Sequence, residues 1–245
     1  PDKNNGWACG GSGVILHTSD GGALWEKQKS GTDKNLLKIH FTDLNNGWIL
    51  EENRLLHTAD GGKNWEILNI DTSDYINNIF FVDSKKGWAA GNKGTILHTV
   101  DGGRSWEKLN VVSDNLYAIS FVDKETGWIT GDDGTVLHTI DGGENWTSQK
   151  TGREKLIRAS FVDKNRGWIM GHEGTILHTS DGGITWKTQN SGTSKELRGI
   201  HFTDSLNGWA AGSCFGIEGG TILHTSDGGL TWELQNTRPT EKYNE

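Results

Sequence analysis

The residues best able to take part in chemistry recur at one spacing along the chain. The segment His-Thr-x-Asp-Gly-Gly-x-x-Trp, which we call the Asp box, occurs six times, about 40 residues apart. Its aspartates are Asp20, Asp60, Asp101, Asp141, Asp181 and Asp227. Its histidines are His17, His57, His98, His138, His178 and His224. Because each repeat holds one aspartate and one histidine, we expect them to lie in separate repeats and not around one metal ion.

The Asp box is typical of a structural turn. The aspartate carboxylate can accept backbone N–H bonds across the turn, and the glycines can adopt the dihedral angles that the turn requires. We expect the tryptophan that ends each box to pack beneath the turn and to be mostly buried. These tryptophans are Trp25, Trp65, Trp106, Trp146, Trp186 and Trp232.

Several other residues could form a catalytic site. A glycosidase needs two carboxylates about 6.5–9.5 Å apart when it inverts configuration. Carboxylates outside the repeated motif are Glu51, Glu52, Asp132, Asp133 and Glu173. A sialidase-like site needs three arginines and a tyrosine nucleophile, and the positions of Arg153, Arg158 and Arg198 do not combine convincingly with any tyrosine. We predict no catalytic residue, and we expect the acidic residues to be solvated turn positions.

Composition narrows the class of protein. The chain has 35 glycines, 2 prolines and 33% hydrophobic residues among 245, which favours a sheet protein with many tight turns. A formal charge of −8 argues against a nucleic-acid partner. No apolar run is long enough to span a membrane. The two cysteines lack metal-ligand spacing, and we predict neither a metal nor a cofactor.

Within a repeat the hydrophobic pattern alternates as in β-strands. In one repeat we predict strand a at 116–122, strand b at 127–130, strand c at 135–139 and strand d at 146–149. A Gly-Trp pair opens each strand b, with tryptophans Trp7, Trp48, Trp88, Trp128, Trp168 and Trp209. Four short antiparallel strands in about 40 residues match one blade of a propeller. The sequence therefore predicts an all-β β-propeller of four-stranded antiparallel blades with six Asp-box repeats.

The repeat resembles that of a known family. Gly-Trp-Ile-Met-Gly at 167–171, followed by Gly-Thr-Ile-Leu-His-Thr-Ser-Asp-Gly-Gly-Ile-Thr-Trp at 174–186, is similar to the repeat of the photosystem II stability/assembly factor family. That family belongs to the Asp-box, or BNR-repeat, propellers, which also include sialidases, sortilin-type receptors and xyloglucan-cleaving glycosidases. The resemblance implies a non-catalytic binding protein outside the cytoplasm, whether secreted, periplasmic or lumenal.

This chain also differs from the family that it resembles. Family members resemble seven-bladed rings, whereas this chain has six boxes and its first repeat begins at strand b. Leu24 replaces the usual polar residue of the box, and Asn53 with Arg54 replaces a Gly-Thr pair. We predict one domain over 1–236, a tail over 237–245, and a missing segment or unusual closure. Cys9 and Cys214 are either unrelated thiols or a disulfide between the first and last blades.

We place function on the rim formed by the b-to-c and d-to-a turns, because the Asp boxes on the other rim are nearly identical. The predicted binding residues are Glu51, Glu52, Asp132, Asp133, Arg153, His172, Glu173, Lys195, Arg198, Phe215 and Glu218. Phe215 and Glu218 lie in a b-to-c loop that is longer than its counterparts, where an apolar side chain could anchor a partner. We predict a protein-binding or complex-assembly scaffold. The alternative is a carbohydrate-active propeller, either a glycosidase or a sugar-binding module.

Overall fold

A computed structural model describes residues 2–152, 154–212 and 220–235, and these residues form six antiparallel sheets. We number the sheets as blades in chain order. Blade 1 contains β1 Gly6–Cys9, β2 Ile15–Thr18 and β3 Glu26–Gln28; blade 2 contains β4 Lys38–Phe41, β5 Gly47–Glu51, β6 Arg54–Thr58 and β7 Glu66–Asn69; blade 3 contains β8 Ile76–Phe81, β9 Gly87–Gly91, β10 Thr95–Thr99 and β11 Glu107–Asn110. Blade 4 contains β12 Leu116–Phe121, β13 Gly127–Gly131, β14 Thr135–Thr139 and β15 Thr147–Lys150; blade 5 contains β16 Leu156–Phe161, β17 Gly167–Gly171, β18 Ile176–Thr179 and β19 Lys187–Gln189; blade 6 contains β20 Leu197–Phe202, β21 Gly208–Gly212, β22 Thr221–Thr225 and β23 Glu233–Leu234.

These sheets confirm the predicted all-β class and its propeller blades. Each sheet places consecutive strands side by side, and the strands of the repeat at 116–149 begin and end within one residue of their predicted positions. Blade 1 has three strands among the described residues, as expected from a first repeat that begins at strand b. Short 3-10 turns occupy the b-to-c connections at Gly11–Gly13, Asn92–Gly94, Asp132–Gly134 and His172–Gly174.

The chain divides into two compact units, Pro1–Ile119 and Ser120–Glu245. The division falls inside β12, so the first unit contains blades 1 to 3 and the second contains blades 5 and 6 with most of blade 4. Among the described residues of both units, no helix has the length and apolar character needed to cross a membrane.

In the first unit, neighbouring blades are joined by a stack of three rings. Trp48 in β5 lies parallel to Phe81 of the next blade at a centroid distance of 3.9 Å, and its other face stacks on His57 of its own blade at 5.0 Å. The indole N–H of Trp48 donates to the carbonyl of Gly102, in the Asp box of the next blade, at 2.9 Å. The box histidine therefore acts as a packing surface. This bond also satisfies the polar atom of a fully buried tryptophan.

The second unit repeats the same stack. Trp168 lies between His178 of its own blade and Phe202 of blade 6, at centroid distances of 4.8 and 3.5 Å. Its indole N–H donates to the carbonyl of Gly228 at 3.0 Å. Trp128 makes the equivalent contact with Phe161 at 3.6 Å. The interface between successive blades is thus a repeated unit, in the same way as the blades themselves.

In blades 2 to 6, the glycine of the Gly-Trp pair makes room for the phenylalanine of its own blade. A Cβ atom placed on Gly87 would come within 2.4 Å of the ring of Phe81, and one on Gly167 within 2.1 Å of Phe161. Any other residue there would displace the ring that the tryptophan of the preceding blade contacts. This steric requirement explains why glycine precedes tryptophan in these five blades.

The two sets of tryptophans differ in burial. Trp48, Trp88, Trp128 and Trp168 of the Gly-Trp pairs are fully buried, while Trp7 of the first pair is partly buried and Trp209 of the last is 43% exposed. The box tryptophans of blades 2 to 6 are partly buried. Box tryptophans such as Trp106 contact the edge of the stack, with Trp106 perpendicular to Phe81 at 6.1 Å. Trp25 is 43% exposed, contrary to the burial we predicted for every box tryptophan, because blade 1 has no strand-a phenylalanine for it to contact.

The carboxylate of each box organises its own turn. In blade 3, Asp101 Oδ1 accepts hydrogen bonds from Thr99 Oγ1 at 2.8 Å and from the backbone N–H of Ser105 at 2.9 Å, while Asp101 Oδ2 accepts one from Ser105 Oγ at 2.6 Å. Thr99 Oγ1 in turn accepts the N–H of Gly103 at 3.0 Å. Hydrogen bonds from the residue four positions later are the main cause that lowers the pKa of four box aspartates to about 2, namely Asp101, Asp141, Asp181 and Asp227.

A second titratable group connects blades 2 and 3. His40 in β4 donates its Nε2 proton to the carbonyl of Phe81 at 2.7 Å, and burial lowers the pKa of His40 to about 4. Burial also lowers the pKa of His138 and His178. These histidines are neutral in the folded protein at a pH where they would be charged in the unfolded chain.

We expect Trp48→Ala to lower the free energy of unfolding by about 3–5 kcal/mol, because it removes a fully buried indole and opens a cavity between two blades. Trp25→Ala should lower it by less than about 1.5 kcal/mol, because much of that ring is already solvated. Urea unfolding followed by circular dichroism measures both. Equal losses for the two variants would contradict the assignment of the Gly-Trp tryptophan to the blade interface.

We expect stability to fall with acid in two steps. Between pH 6.5 and about 4 the unfolded chain binds a proton at His40 that the folded protein does not, so the free energy of unfolding decreases as the pH falls. Between about pH 3.8 and 2 the box aspartates add a second loss, since their carboxylates must be protonated. His40→Gln should flatten the first step, whereas His201→Gln, at the equivalent but exposed position of β20, should leave it unchanged. Urea midpoints measured from pH 7 to 4 test this, and an unaltered slope in His40→Gln would contradict it.

Candidate binding surface

Hydrogen bonds define the two rims of each unit. The box turn binds the a-to-b turn of its own blade, as in the bond from Gly102 N to Lys85 O at 2.8 Å. The b-to-c turn binds the preceding d-to-a loop, as in the bond from Asn92 N to Tyr75 O at 2.8 Å in the first unit and from His172 N to Lys155 O at 3.1 Å in the second. Within each unit, the described b-to-c turns and d-to-a loops therefore lie on the same rim.

The b-to-c turns display one side chain each in an unusual backbone conformation. The second residue of the turn has a φ of 50–55° in five blades, the left-handed region that ordinary residues seldom adopt. These residues are Ser12, Glu52, Lys93, Asp133 and Glu173. All five are exposed, and their chemistry differs from blade to blade. The fold therefore holds a variable side chain at a fixed place in each of these turns.

Glu51 does not belong to this exposed set. Its side chain is 0% exposed, and its Oε1 atom accepts hydrogen bonds from Arg54 at 2.8 Å and from Thr32 Oγ1 at 2.9 Å. The prediction of Glu51 as a solvated binding residue therefore needs correction. Arg54 occupies the position that Thr95 and Thr135 hold at the start of strand c in blades 3 and 4. The b-to-c turn of blade 2 is also shorter than the turns of those blades, and Arg54 forms an ion pair with the buried Glu51.

In the second unit, the predicted residues His172 and Arg198 both contact the carboxylate of Glu196. Glu196 links His172 and Arg198, with His172 Nε2 to Glu196 Oε1 at 3.1 Å and Arg198 to Glu196 Oε2 at 3.0 Å. Arg158, on the adjacent innermost strand, lies close enough to Arg198 that burial and then this second cation lower the pKa of Arg158. Two guanidinium groups thus face the same region, and both can bind carboxylates.

The other predicted residues are not joined to this cluster by the contacts described. Asp132 is partly exposed, whereas Asp133, Glu173 and Lys195 are exposed on the same rim. Arg153, Phe215 and Glu218 lie outside the described residues, as does Cys214. Cys9 forms no disulfide with any residue that the structure describes, its Sγ lies 3.8 Å from the carbonyl oxygen of Leu36, and burial raises the pKa of that thiol to about 11. Within the described residues, no group of three ligating side chains could hold a metal ion.

Sequence reasoning missed a cleft in the first unit. It has a volume of about 630 Å³ and lies between the outer strands of blades 1 and 2, where Lys27, Lys29, Lys34 and Arg54 line it. Three lysines within eight residues were a usable signal in the sequence. Their convergence on an arginine twenty residues later depends on the pairing of two blades.

Breaking the buried ion pair should destabilise the first unit strongly. We expect Arg54→Met to lower the free energy of unfolding by about 3 kcal/mol, because the buried Glu51 carboxylate loses its compensating charge. Adding Glu51→Gln should restore part of that loss. Arg104→Met, which removes an exposed pair with Glu66, should change stability by less than about 1 kcal/mol and serves as the control. Equal losses in the two single variants, measured by urea unfolding, would contradict the structural role of Glu51.

Comparison with known proteins places these features in a family. A segment of 50 residues is 40% identical to photosystem II stability/assembly factor HCF136, chloroplastic, of Oryza sativa subsp. japonica, and covers 20% of this chain and 12% of that protein. This chain therefore matches only a small part of that relative's length. Two solved structures show the same β-propeller fold. They are YCF48 bound to D1 peptide, with 22% identity, a TM-score of 0.73 and coverage of 95% of this chain and 78% of that one, and the GH74 enzyme of Niastella koreensis, with 14% identity, a TM-score of 0.76 and coverage of 94% and 43%.

The family profile described as photosynthesis system II assembly factor YCF48 matches in overlapping segments, at 1–60, 24–116, 57–158, 111–189 and 150–244. Together these segments extend over nearly the whole sequence and include all six Asp boxes. The chain belongs to the photosynthesis system II assembly factor YCF48 family.

Proposed function

We propose that this protein is a non-catalytic scaffold that binds a protein partner through the rim of its b-to-c and d-to-a turns. The observation that carries the proposal is the set of exposed, left-handed residues in the b-to-c turns, which differ in charge while the frame beneath them repeats. A surface that varies on a constant frame is the usual form of a binding site on a repeat protein. Membership of an assembly-factor family supports the same function.

A peptide or an extended segment of a partner is the kind of ligand we propose. A protein of the same fold has been solved as YCF48 bound to D1 peptide. In this chain, the guanidinium groups of Arg158 and Arg198 offer carboxylate binding on adjacent inner strands. We place the protein outside the cytoplasm, in keeping with the family and with the chloroplastic relative.

We also propose that the protein does not hydrolyse glycosides, despite its likeness to the GH74 fold. Of the carboxylates considered for such a site, Glu51 is committed to a buried ion pair. Glu52, Asp133 and Glu173 each occupy the turn of a different blade. Incubation with xyloglucan and with a fluorogenic sialoside tests this proposal, and we expect no product. Turnover that disappears in Asp133→Asn or Glu173→Gln would overturn it.

The binding rim can be tested without disturbing the fold. Glycine suits a left-handed position better than any other residue, so the triple variant Glu52→Gly, Asp133→Gly and Glu173→Gly removes side chains and relieves backbone strain. We expect it to capture less of the native partner by at least about tenfold in a pull-down from the source organism, as loss of several interface contacts would produce. The control, Lys63→Ala with Lys187→Ala near the box rim, should capture as much as the unmodified protein. Loss of capture in the control alone would assign binding to the opposite rim.

A further inference from the structure

The cleft of the first unit lies between β3 of blade 1 and the strands β6 and β7 of blade 2. Lys27, Gln28 and Lys29 line it from the first side, Arg54 and Ile67 from the second. The d-to-a loop at 30–34 and the b-to-c turn at 12–13 complete its wall. Its volume of about 630 Å³ is within the usual range for a ligand site.

The cleft is positively charged in a protein whose net charge is −8. Lys27, Lys29 and Lys34 are exposed, and none of them forms an ion pair within the part of the chain that the structure describes. The positive charge of Arg54 is balanced by Glu51, although the side chain of Arg54 stays 40% exposed at the cleft. Asp33 is the carboxylate among the lining residues. The lining therefore leaves positive charge that an anionic ligand could neutralise.

Blade 3 of the same unit shows what the equivalent place holds when the chain supplies its own acid. There the buried Asp74 carboxylate, in the loop before β8, accepts hydrogen bonds from Thr95 Oγ1 at 2.8 Å and Lys108 Nζ at 2.7 Å, and Lys93 Nζ lies 3.3 Å away. The bond from Lys108 is the largest of the contacts that lower the pKa of Asp74 to about 2. This blade thus contains a built site for a carboxylate, supplied by the chain itself.

Blade 2 has no carboxylate at the position of Asp74. Asp74 stands two residues before the buried Ile76, and the residue two positions before the equivalent buried Leu36 is Lys34. Arg54 likewise takes the place of Thr95 at the start of strand c. A cation thus replaces the acid, and a second cation, whose charge is balanced by Glu51, replaces a neutral donor. Lys34 therefore adds positive charge to the cleft at the position where blade 3 has a carboxylate.

A second recess is lined by residues that neighbour the basic cleft in sequence. It has a volume of about 350 Å³ and is lined by Asn35, Leu37, Glu52, Asn53 and Tyr75, so that two of its five side chains are large and apolar. Asn35 follows Lys34 and Asn53 precedes Arg54 along the chain. Leu37 and Tyr75 are both exposed there. A ligand that spans both recesses needs carboxylates at one end and an apolar side chain at the other.

We propose that this groove binds an acidic segment of a partner protein, with its carboxylates on Lys27, Lys29, Lys34 and Arg54 and an apolar residue against Leu37 and Tyr75. The inference rests on the proposed function and names the chemistry of the partner. Concave recesses of this size fit side chains, whereas a bilayer surface would need a flat or protruding basic face.

A labelled peptide tests the groove directly. The probe is a fluorescein-labelled decapeptide of alternating Asp and Ser with one Phe, and its counterpart carries Asn in place of Asp. We expect the variant Lys27→Gln, Lys29→Gln and Lys34→Gln to weaken binding of the acidic peptide by at least about tenfold in fluorescence polarisation, since each exposed charge contributes modestly. The matched control, Lys63→Gln, Lys85→Gln and Lys187→Gln, changes the net charge equally and should weaken binding less than twofold. The Asn peptide should not bind.

Four results would overturn the inference. Equal weakening in both triple variants would indicate general attraction between charges, and tight binding of the Asn peptide would remove the role of the carboxylates. Loss of binding to phosphatidylglycerol vesicles with unchanged peptide binding would assign the lysines to a membrane surface. In a pull-down, we expect the groove variant to capture less native partner. Undiminished capture would reject the groove as a partner site and leave the proposed function standing, whereas absence of any captured partner in the unmodified protein would reject the proposed function.

Discussion

The stack of histidine, tryptophan and phenylalanine between successive blades is the interaction on which the rest of this structure depends. It buries the largest side chain of the repeat, and the box carbonyl that accepts the indole N–H ties that side chain to a turn in the next blade. The same contact fixes three features of the sequence. Glycine must precede the tryptophan to admit the phenylalanine, histidine must face the ring from strand c, and the box must present its carbonyl at a constant place.

Because the stacked frame is constant, the residues of the turns on the opposite rim can vary. The b-to-c turns carry none of the stacking residues, so their exposed positions can differ in charge without loss of packing. Blade 2 shows the limit of that freedom. Arg54 enters a site that other blades fill with a neutral residue, and it is accommodated because Glu51 accepts its hydrogen bond while Thr32 donates a second one to the same carboxylate oxygen. A change in a turn is tolerated when the charge that it buries is compensated.

Much of the fold was predictable because its information is local and repeated. Alternating hydrophobicity, glycines at turns and the box aspartates place the strands of each blade, and six copies reinforce one another. The relative burial of the two tryptophan sets was not predictable, since both recur with the same period. They differ in that the Gly-Trp tryptophan stacks on a ring of the next blade, whereas the box tryptophan contacts the phenylalanine of its own blade. Glu51 was misplaced because its burial depends on a hydroxyl from the preceding loop. The basic cleft was missed because Lys34 and Arg54 become neighbours only when two blades pack.

The repeated interface has a consequence for how such a chain can change in length. Within each unit, a blade presents a tryptophan to the blade that follows it and a phenylalanine to the blade before it, as Trp48 and Phe41 do in blade 2. An internal duplication of one repeat in the gene would therefore produce a blade that already fits both neighbours. Growth by whole repeats requires no new complementary surface, whereas gain or loss of a single strand leaves an indole without its partner, as Trp25 in the three-stranded blade illustrates.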